Sequence, residues 1–555
     1  MLLALAFMLP PVAVLACLGL NRFISTRWCA FGTALGLAFA AACLVGVRIS
    51  GQSMALIDLP LFELTERAIH LSLRLDPINW PITIVILAGG ALMVAALGFA
   101  LPADLRGFSG LPATLALVVV TTLLSMATTD PILRPVAWMM AVFASATALR
   151  ASGALADSDA PLIVALAGVV ATMLLLATGL LITSGVPLST MALLCLTIAC
   201  LLLLGCAPFN AVAGAMSEAP AGIGGALLAL GLPLVGGQTL LTMMTEVGFP
   251  APWRTALMLI GLLSVLACGA GAIGARQARR LLAWQHGAQL GVFLVALGTG
   301  GPAAGVLFCT TCTTLAAALA IALLERRTGT DDLGIAVLSE PLPIPGLALL
   351  IAGATAVGLP GTGGFWMRTQ IVALLVQQGS SWVVGVLLVG AMLLGLSYLA
   401  PLAIFWRARP VGQPEALPFR TALILPAIAV LPLLALGVAP QLIGTALLRP
   451  SPISMLAAAG AIVVLIALPL LVQRFSDHTP ANPDEHAGSA ALPYALAESL
   501  GGLAWLATPT AALNMGWEAL LQGSQLLTRL LAQVEERYYL AGLTIALIIV
   551  VLVFI

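Results

Sequence analysis

The chain has 555 residues, of which 61% are hydrophobic and only 8% are charged, and its formal charges balance to zero. Soluble domains contain about 45–50% apolar and roughly 25% charged residues, so this composition excludes a soluble enzyme, a nucleic-acid-binding protein and a disordered chain. It predicts an all-α polytopic membrane protein, whose helices satisfy their own backbone hydrogen bonds inside the bilayer.

The basic residues are unusual because all 22 of them are arginines and lysine is absent. A buried lysine can lose its proton near neutral pH, whereas an arginine stays charged. A mechanism that passes protons through membrane lysines is therefore closed to this chain. The nine cysteines lie in apolar stretches, and only Cys309 and Cys312 have a metal-like spacing. We predict no metal site and no bound cofactor.

Apolar segments of about 20 residues predict about sixteen transmembrane helices along the chain. They are 1–20, 29–47, 80–100, 111–128, 132–150, 161–182, 187–207, 222–245, 254–274, 281–299, 301–325, 343–378, 381–407, 420–442, 453–473 and 537–555. The segment 343–378 is too long for one straight helix and carries Pro360 in its middle. It is either two spans or one span that is broken at the midplane.

The distribution of arginines favours one broken span. With the N-terminus outside, that arrangement places most arginines in inside loops, and splitting the segment removes the bias. A second discontinuous helix is predicted at Pro208, and Pro233 is a third candidate interruption. Helices interrupted at corresponding places in two halves are typical of internal repeats around a central ion path.

These features divide the chain into six regions. They are N-terminal spans with an outer loop (1–110), two inverted five-helix repeats (111–245 and 254–407), C-terminal spans (420–473), a linker with an amphipathic lateral helix (474–536) and a terminal span (537–555). In the lateral helix, apolar residues recur at helical spacing between polar ones, so it is expected to lie along the membrane or a partner.

Several short motifs occur in a fixed order between residues 70 and 380. They are Leu75-Asp76-Pro77, Pro208-Phe209, Glu218-Ala219-Pro220, Arg280-Leu281-Leu282-Ala283-Trp284, Ala288-Gln289-Leu290-Gly291, Gly358-Leu359-Pro360 and Gly364-Phe365-Trp366. On these motifs the chain resembles the antiporter-like membrane subunits of respiratory complex I. That superfamily includes multisubunit cation/proton antiporters, group-4 membrane hydrogenases and proton-linked inorganic-carbon uptake complexes.

The resemblance implies a midplane row of Glu, Lys and His that relays protons, and most of this row is missing. Apolar residues stand at the family positions, namely Met139, Leu203, Leu234 and Ala317. Only the terminal family lysine keeps a charge, as Arg368. Uncompensated intramembrane charges cost several kcal/mol, so a copy that no longer conducts is expected to lose them while it keeps the scaffold motifs.

A few residues remain as candidates for an ion pathway: His286, Arg368, Glu246, Thr311 and Thr313. His286 is the only titratable Asp, Glu or His that the predicted spans place well inside the hydrocarbon, although a neighbour could simply satisfy it. Arg368 could pair with a partner's carboxylate, coordinate an anion or snorkel. The threonines could line a wet path or bond across helices.

We therefore predict a membrane subunit of a complex-I-like ion-translocating complex (NADH-quinone oxidoreductase, hydrogenase or related), structural or modulatory in role. No catalytic residue is expected, because flavin, iron–sulfur and nucleotide motifs are absent. The alternatives are an active H⁺ or Na⁺ conductor, a membrane subunit of an inorganic-carbon uptake complex, and a self-standing secondary transporter whose substrate binds at the helix breaks.

The expected partners are other membrane subunits, soluble redox or hydratase-like subunits and the lipid bilayer, with no nucleic acid. The expected location is the inner membrane of a bacterium or archaeon. There the N-terminus lies outside and the linker 474–536 lies in the cytoplasm.

Overall fold

The computed structural model describes residues 2–20, 23–50, 55–64, 67–75, 79–101, 110–153, 158–183, 190–336, 338, 340–406 and 420–443. The predicted span 453–473, the linker and lateral helix 474–536 and the terminal span 537–555 lie outside the described residues. They remain predictions from the sequence.

The helices follow the predicted apolar segments closely. Three of them precede the first predicted repeat: α1 (Leu2–Leu20), α2 (Thr26–Ile49) and α3 (Trp80–Ala100). The next group is α4 (Gly110–Ala127), α5 (Arg134–Ala151), α6 (Ala160–Thr183), α7 (Thr190–Leu204), α8 (Ala211–Met216), α9 (Ala221–Leu230) and α10 (Leu232–Val247).

The second predicted repeat and the segment after it complete the described bundle. Their helices are α11 (Ala251–Gly274), α12 (Ala278–Thr299), α13 (Ala303–Thr328), α14 (Pro343–Val357), α15 (Gly363–Gln377), α16 (Ser381–Trp406) and α17 (Leu425–Val438). Short 3-10 turns flank the last helix at Arg420–Ile424 and Pro440–Ile443.

Ten helices of the described residues are long and apolar enough to cross a membrane, with Ala221–Glu246 counted as one. Three shorter apolar helices accompany them: Thr190–Leu204, Pro343–Val357 and Ala422–Val438. The chain is a multi-pass membrane protein. The total of sixteen spans and the inverted relation of the two repeats remain predictions.

The predicted outer loop contains a β-hairpin, so the all-α prediction was wrong for this segment. Strand β1 (Ala55–Leu64) pairs with the antiparallel strand β2 (Arg67–Arg74). From Ile69 to Arg74, β2 alternates apolar and polar residues with the period of two that is typical of a strand. Leu73 forms an isolated bridge with Thr128 after α4, which joins the hairpin to the helical bundle.

The degree of burial separates central from peripheral helices. In an 18-residue stretch of each helix, 94% of the residues are buried in the Ala221–Glu246 span and 89% in α12 and in α13, but only 28% in α1. The two predicted repeats therefore meet around α9, α10, α12 and α13. The largest fully buried side chains are Trp138, Phe293 and Phe405.

The helices are interrupted near two of the prolines singled out in the sequence. α7 ends at Leu204, and α8 begins at Ala211 after a turn that contains Pro208. α14 ends at Val357, and α15 begins at Gly363 after a turn that contains Pro360. Fifteen residues make a helix of about 22 Å, which is shorter than the ~30 Å hydrocarbon core. These lengths favour one broken span over two complete ones.

The third interruption lies at Gly231, which separates α9 from α10, and not at Pro233. Gly231 has φ −102° and ψ −138°. Pro233 occupies the first turn of α10, where its missing N–H has no helical acceptor to lose. The proline therefore follows the interruption and starts the next helix.

Candidate functional site

The interior of the described bundle holds few charged side chains. Arg134 and His286 are buried, Arg368 is partly buried, and no Asp or Glu of the residues with described burial is buried. Acidic side chains lie instead at helix ends and turns, for example Asp130 before α5 and Glu325 in the last turn of α13. The carboxylates that a proton relay could use therefore lie at the ends of the described helices.

Three of the four residues at the predicted positions of lost family charges lie deep in the apolar core. Leu203 and Ala317 are 0% exposed, Leu234 is 2% exposed, and Met139 is partly buried. At these depths a lysine or a glutamate would be a buried charge, and it would need a buried partner of opposite charge.

His286 lies in the middle of α12 and is 3% exposed. Its Nδ1 is 2.8 Å from the hydroxyl oxygen of Thr314 in α13. Its Nε2 is buried and has no hydrogen-bond partner within the described residues. Nδ1 is therefore hydrogen-bonded to a neutral hydroxyl group, and no carboxylate of a described residue accepts a hydrogen bond from Nε2.

Two glutamines extend this polar region along α12 towards α16. Gln285 donates from Nε2 to the hydroxyl oxygen of Ser397 at 3.0 Å. One turn further, Gln289 lies beside the hydroxyl of Tyr398. We call His286, Thr314 and these four side chains the α12 polar cluster. All its groups are neutral amides, hydroxyls and an imidazole, so the cluster can bind water but contains no acid.

The first predicted repeat has its own buried polar contacts. Gln238 of α10 donates to the side-chain oxygen of Asn79, next to α3, and also to the hydroxyl of Thr242 at 3.3 Å. Arg134, at the start of α5, donates from Nε to the carbonyl oxygen of Thr128 at 3.0 Å. These bonds tie helix ends and neighbouring helices together and contain no exchanging acid–base pair.

Arg368 lies at the break between α14 and α15. Its Nη2 donates to the carbonyl oxygen of Ala356 in the last turn of α14. Gly358 closes that turn with φ +87°, and a Cβ atom there would collide with the Cδ atom of Arg368. The glycine thus permits both the left-handed turn and the close passage of the arginine side chain.

A small cavity of about 30 Å³ adjoins Arg368. Its polar lining comes from Gln289 of α12, from Thr310 and Thr313 of α13, and from Thr355 of α14. Thr313 is 0% exposed, and its hydroxyl has no hydrogen-bond partner within the described residues. The cavity has room for about one water-sized molecule.

The predicted candidates are thus only partly brought together. Arg368 and Thr313 share the cavity, but His286 is paired with Thr314 across helices. Thr311 donates to the carbonyl of Leu307 in its own helix at 2.9 Å, and Glu246 is exposed in the last turn of α10.

The buried amides of Gln238, Gln285 and Gln289 were missed by the sequence analysis, although a glutamine inside an apolar span is a recognisable signal. No group of three or more His, Cys, Asp or Glu side chains that could hold a metal ion occurs in the described part of the chain.

Sequence relationships agree with this architecture. Residues 141–394 match the family described as NADH:quinone oxidoreductase/Mrp antiporter, TM. The chain is 33% identical over 200 residues to NADH-quinone oxidoreductase subunit 14 of Thermus thermophilus, covering 35% of this chain and 45% of that protein. It is 29% identical over 211 residues to NADH-quinone oxidoreductase subunit N of Cereibacter sphaeroides, covering 37% of this chain and 46% of that protein.

Solved structures share the fold at low sequence identity. A chain of the Mrp complex from Dietzia sp. DQ12-45-1b superposes with a TM-score of 0.69 at 17% identity, over 95% of this chain and 62% of that chain. A chain of respiratory complex I from Thermus thermophilus superposes with a TM-score of 0.61 at 23% identity, over 81% of this chain and 100% of that chain.

The sequence matches span about half the length of the curated relatives. Within that limit, the interrupted helices, the central position of α12 and α13 and the family match describe the same region of the molecule. Residues 141–394 thus match the family described as NADH:quinone oxidoreductase/Mrp antiporter, TM, and the chain is similar in sequence to subunits of NADH-quinone oxidoreductase.

Proposed function

We propose that this chain is a membrane subunit of a complex-I-like ion-translocating assembly, and that it serves there as a structural or modulatory subunit without a proton relay of its own. The observation that carries the proposal is the absence of any buried Asp or Glu among residues with described burial, together with the absence of lysine from the whole sequence. A relay needs groups that exchange protons while they are desolvated.

The two buried basic side chains support this proposal. Arg134 donates to backbone carbonyls, and an arginine does not release its proton in proteins. His286 is the one buried imidazole among the residues with described burial, and its Nδ1 is hydrogen-bonded to the hydroxyl of Thr314. A single imidazole without a neighbouring carboxylate or amine has no described partner to which it could pass a proton.

A second function, active H⁺ or Na⁺ conduction, is favoured by one observation. The α12 polar cluster and the cavity at Arg368 together bring amides, hydroxyls and His286 into the interior of the second predicted repeat. Water molecules bound to these groups could carry a proton past His286. In this alternative, His286 would be indispensable.

The proposed setting follows the relatives. The partners would be further membrane subunits, with soluble redox or hydratase-like subunits, in the inner membrane of a bacterium or archaeon. The proposed orientation has the N-terminus outside and the linker 474–536 in the cytoplasm, on the basis of the arginine distribution. A self-standing transporter is the competing arrangement.

Purification of the tagged full-length chain from its own membranes in a mild detergent tests the proposal. We expect it to co-migrate with other membrane subunits and with a soluble oxidoreductase or hydratase-like subunit. We also expect His286→Ala to leave both the subunit composition and the activity of the assembly unchanged, since the proposal gives this ring no relay role.

Two outcomes would contradict the proposal. A chain that migrates alone and transports a solute by itself would support the self-standing transporter. An intact assembly whose ion translocation is lost in the His286→Ala variant would support the conducting subunit. Glu246→Gln is the matched control, because Glu246 is exposed at the end of α10.

A further inference from the structure

The charge of Arg368 is not balanced by any acidic side chain in the described part of the chain. The described ion pairs involve Arg279 with Glu325 and with Asp331, and neither includes Arg368. The guanidinium has one hydrogen bond to a described residue, to the carbonyl oxygen of Ala356. A carbonyl dipole at a helix end offsets only part of a full positive charge.

An arginine cannot relieve this imbalance by releasing its proton, because the guanidinium stays charged in proteins. Arg368 is half-buried and forms part of a cavity wall, and a charge that is partly withdrawn from water is stabilised by a nearby counter-charge. A negative group at the break between α14 and α15 would supply that counter-charge. The described bundle offers space for one, since the side chain of Arg368 forms part of the wall of the 30 Å³ cavity.

The other polar groups of the cavity can also donate hydrogen bonds to an anion. Thr313 belongs to the cavity lining, and its fully buried hydroxyl has no hydrogen-bond partner among the residues that the structure describes. The amide of Gln289 and the hydroxyl of Thr310 complete the polar lining on the α12 and α13 side. A cation would be repelled by Arg368, whereas an anion could accept from the guanidinium, the amide and the hydroxyls together.

The charge of Arg368 limits the class of ligand. The cavity, with about 30 Å³ of free space, admits a water molecule or a halide ion. Sulfate or a doubly charged phosphate would bring more charge than Arg368 can balance. The apolar part of the lining, which includes Val292, Val306 and Met367, favours a weakly hydrated monovalent ion.

We propose that the cavity between α12, α13 and the α14–α15 break binds one halide-sized monovalent anion, held by Arg368, Thr313 and Gln289. The anion balances the arginine and stabilises the interrupted helix. This inference is independent of whether the chain conducts protons, because it concerns the charge balance of the break.

The test is the thermal unfolding of the purified assembly, followed as chloride replaces gluconate at constant ionic strength. For the natural chain we expect the unfolding midpoint to rise with chloride and to saturate. In Thr313→Val, which removes one donor at nearly constant volume, the half-saturating chloride concentration should increase about ten- to a hundredfold. In Arg368→Met the saturable response should disappear.

Two matched variants serve as controls. Arg280→Met removes an exposed arginine, and Thr311→Val removes a hydroxyl that is bonded within its own helix. Both should keep the chloride response of the natural chain. The proposal is overturned if the natural assembly shows no chloride response, which would leave a carboxylate of another segment or subunit as the counter-charge. It is also overturned if Thr313→Val titrates like the natural chain. The Thr313 result decides the matter even if Arg368→Met fails to fold.

Discussion

Arg279 at the start of α12 forms an ion pair with Glu325 in the last turn of α13, and the same carboxylate accepts a hydrogen bond from the backbone N–H of Ala221 at 2.9 Å. Arg279 also donates to the carbonyl oxygen of Glu218 at 3.3 Å. Ala221 begins α9, so this pair joins the first predicted repeat to the second at one end of the bundle.

Substitution of Glu325 tests this connection. Glu325→Ala removes the acceptor for both Arg279 and the N-terminal N–H of α9, and we expect it to destabilise the fold by about 1–3 kcal/mol. Glu325→Gln keeps an oxygen for Ala221 and should cost less, because the partly exposed ion pair alone contributes little. Midpoints of thermal unfolding in detergent measure both effects. Equal losses in these variants and in the exposed Glu246→Gln control would contradict this role of Glu325.

The pair of Thr314 and His286 predicts a difference between two neighbouring threonines. Thr314→Val leaves the buried Nδ1 of His286 without a partner, so the expected loss of stability is about 1–3 kcal/mol. Thr311→Val removes a hydroxyl that donates to the carbonyl oxygen of Leu307 in the same helix. That carbonyl also accepts a backbone hydrogen bond of the helix, so the loss of stability should stay at about 0.5 kcal/mol. Similar unfolding midpoints for the two variants would refute the pairing.

The start of α15 packs directly against the end of α14, and Gly364 makes this possible. A Cβ atom at Gly364 would collide with the carbonyl oxygen of Thr355, which is backbone and cannot move aside independently. We expect Gly364→Ala to destabilise the fold by about 1–3 kcal/mol. Gly385→Ala in α16 meets no atom and should be neutral or stabilising by up to about 1 kcal/mol. The yield of monodisperse protein after detergent extraction distinguishes them, and equal yields would contradict the close approach.

A lysine introduced at Leu203 tests whether the interior holds a counter-charge. Leu203 is 0% exposed, and Leu203→Lys should cost several kcal/mol because no buried carboxylate among the described residues can pair with it. Leu203→Met keeps an apolar side chain of similar volume and should cost less than about 1.5 kcal/mol. Size-exclusion profiles of fluorescently tagged protein report the folded fraction. A Leu203→Lys variant that folds as well as Leu203→Met would reveal a hidden acidic partner.

Much of the helical architecture could be predicted from the sequence, because a membrane span has a strong compositional signal. The segment 80–100 coincides with α3, and the segment 381–407 differs from α16 by one residue. The sequence predicts only an outer loop at the position of the β-hairpin, because both strands are short. Its alternation of apolar and polar residues covers only six residues of β2, from Ile69 to Arg74, which gives a far weaker signal than a membrane span.

The interior was harder to predict. Leu203 and Ala317 stand at predicted positions of lost family charges, and the structure places both in the core. The pairing of His286 with Thr314 depends on the rotation of α12 against α13, which the spacing along one helix does not determine. Pro233 predicts an interruption, but the structure places the interruption at Gly231. Pro233 lies in the first turn of α10, where a proline fits regular helical geometry and interrupts nothing.

Proton flux through liposomes that contain the purified full-length chain tests the central claim most directly. The internal pH is followed after a potential is imposed, with protein-free liposomes as the baseline and with His286→Ala and Glu246→Gln as paired variants. If the chain lacks a relay, the natural protein and both variants should give the baseline flux. A flux well above the baseline that His286→Ala abolishes and Glu246→Gln preserves would contradict the claim.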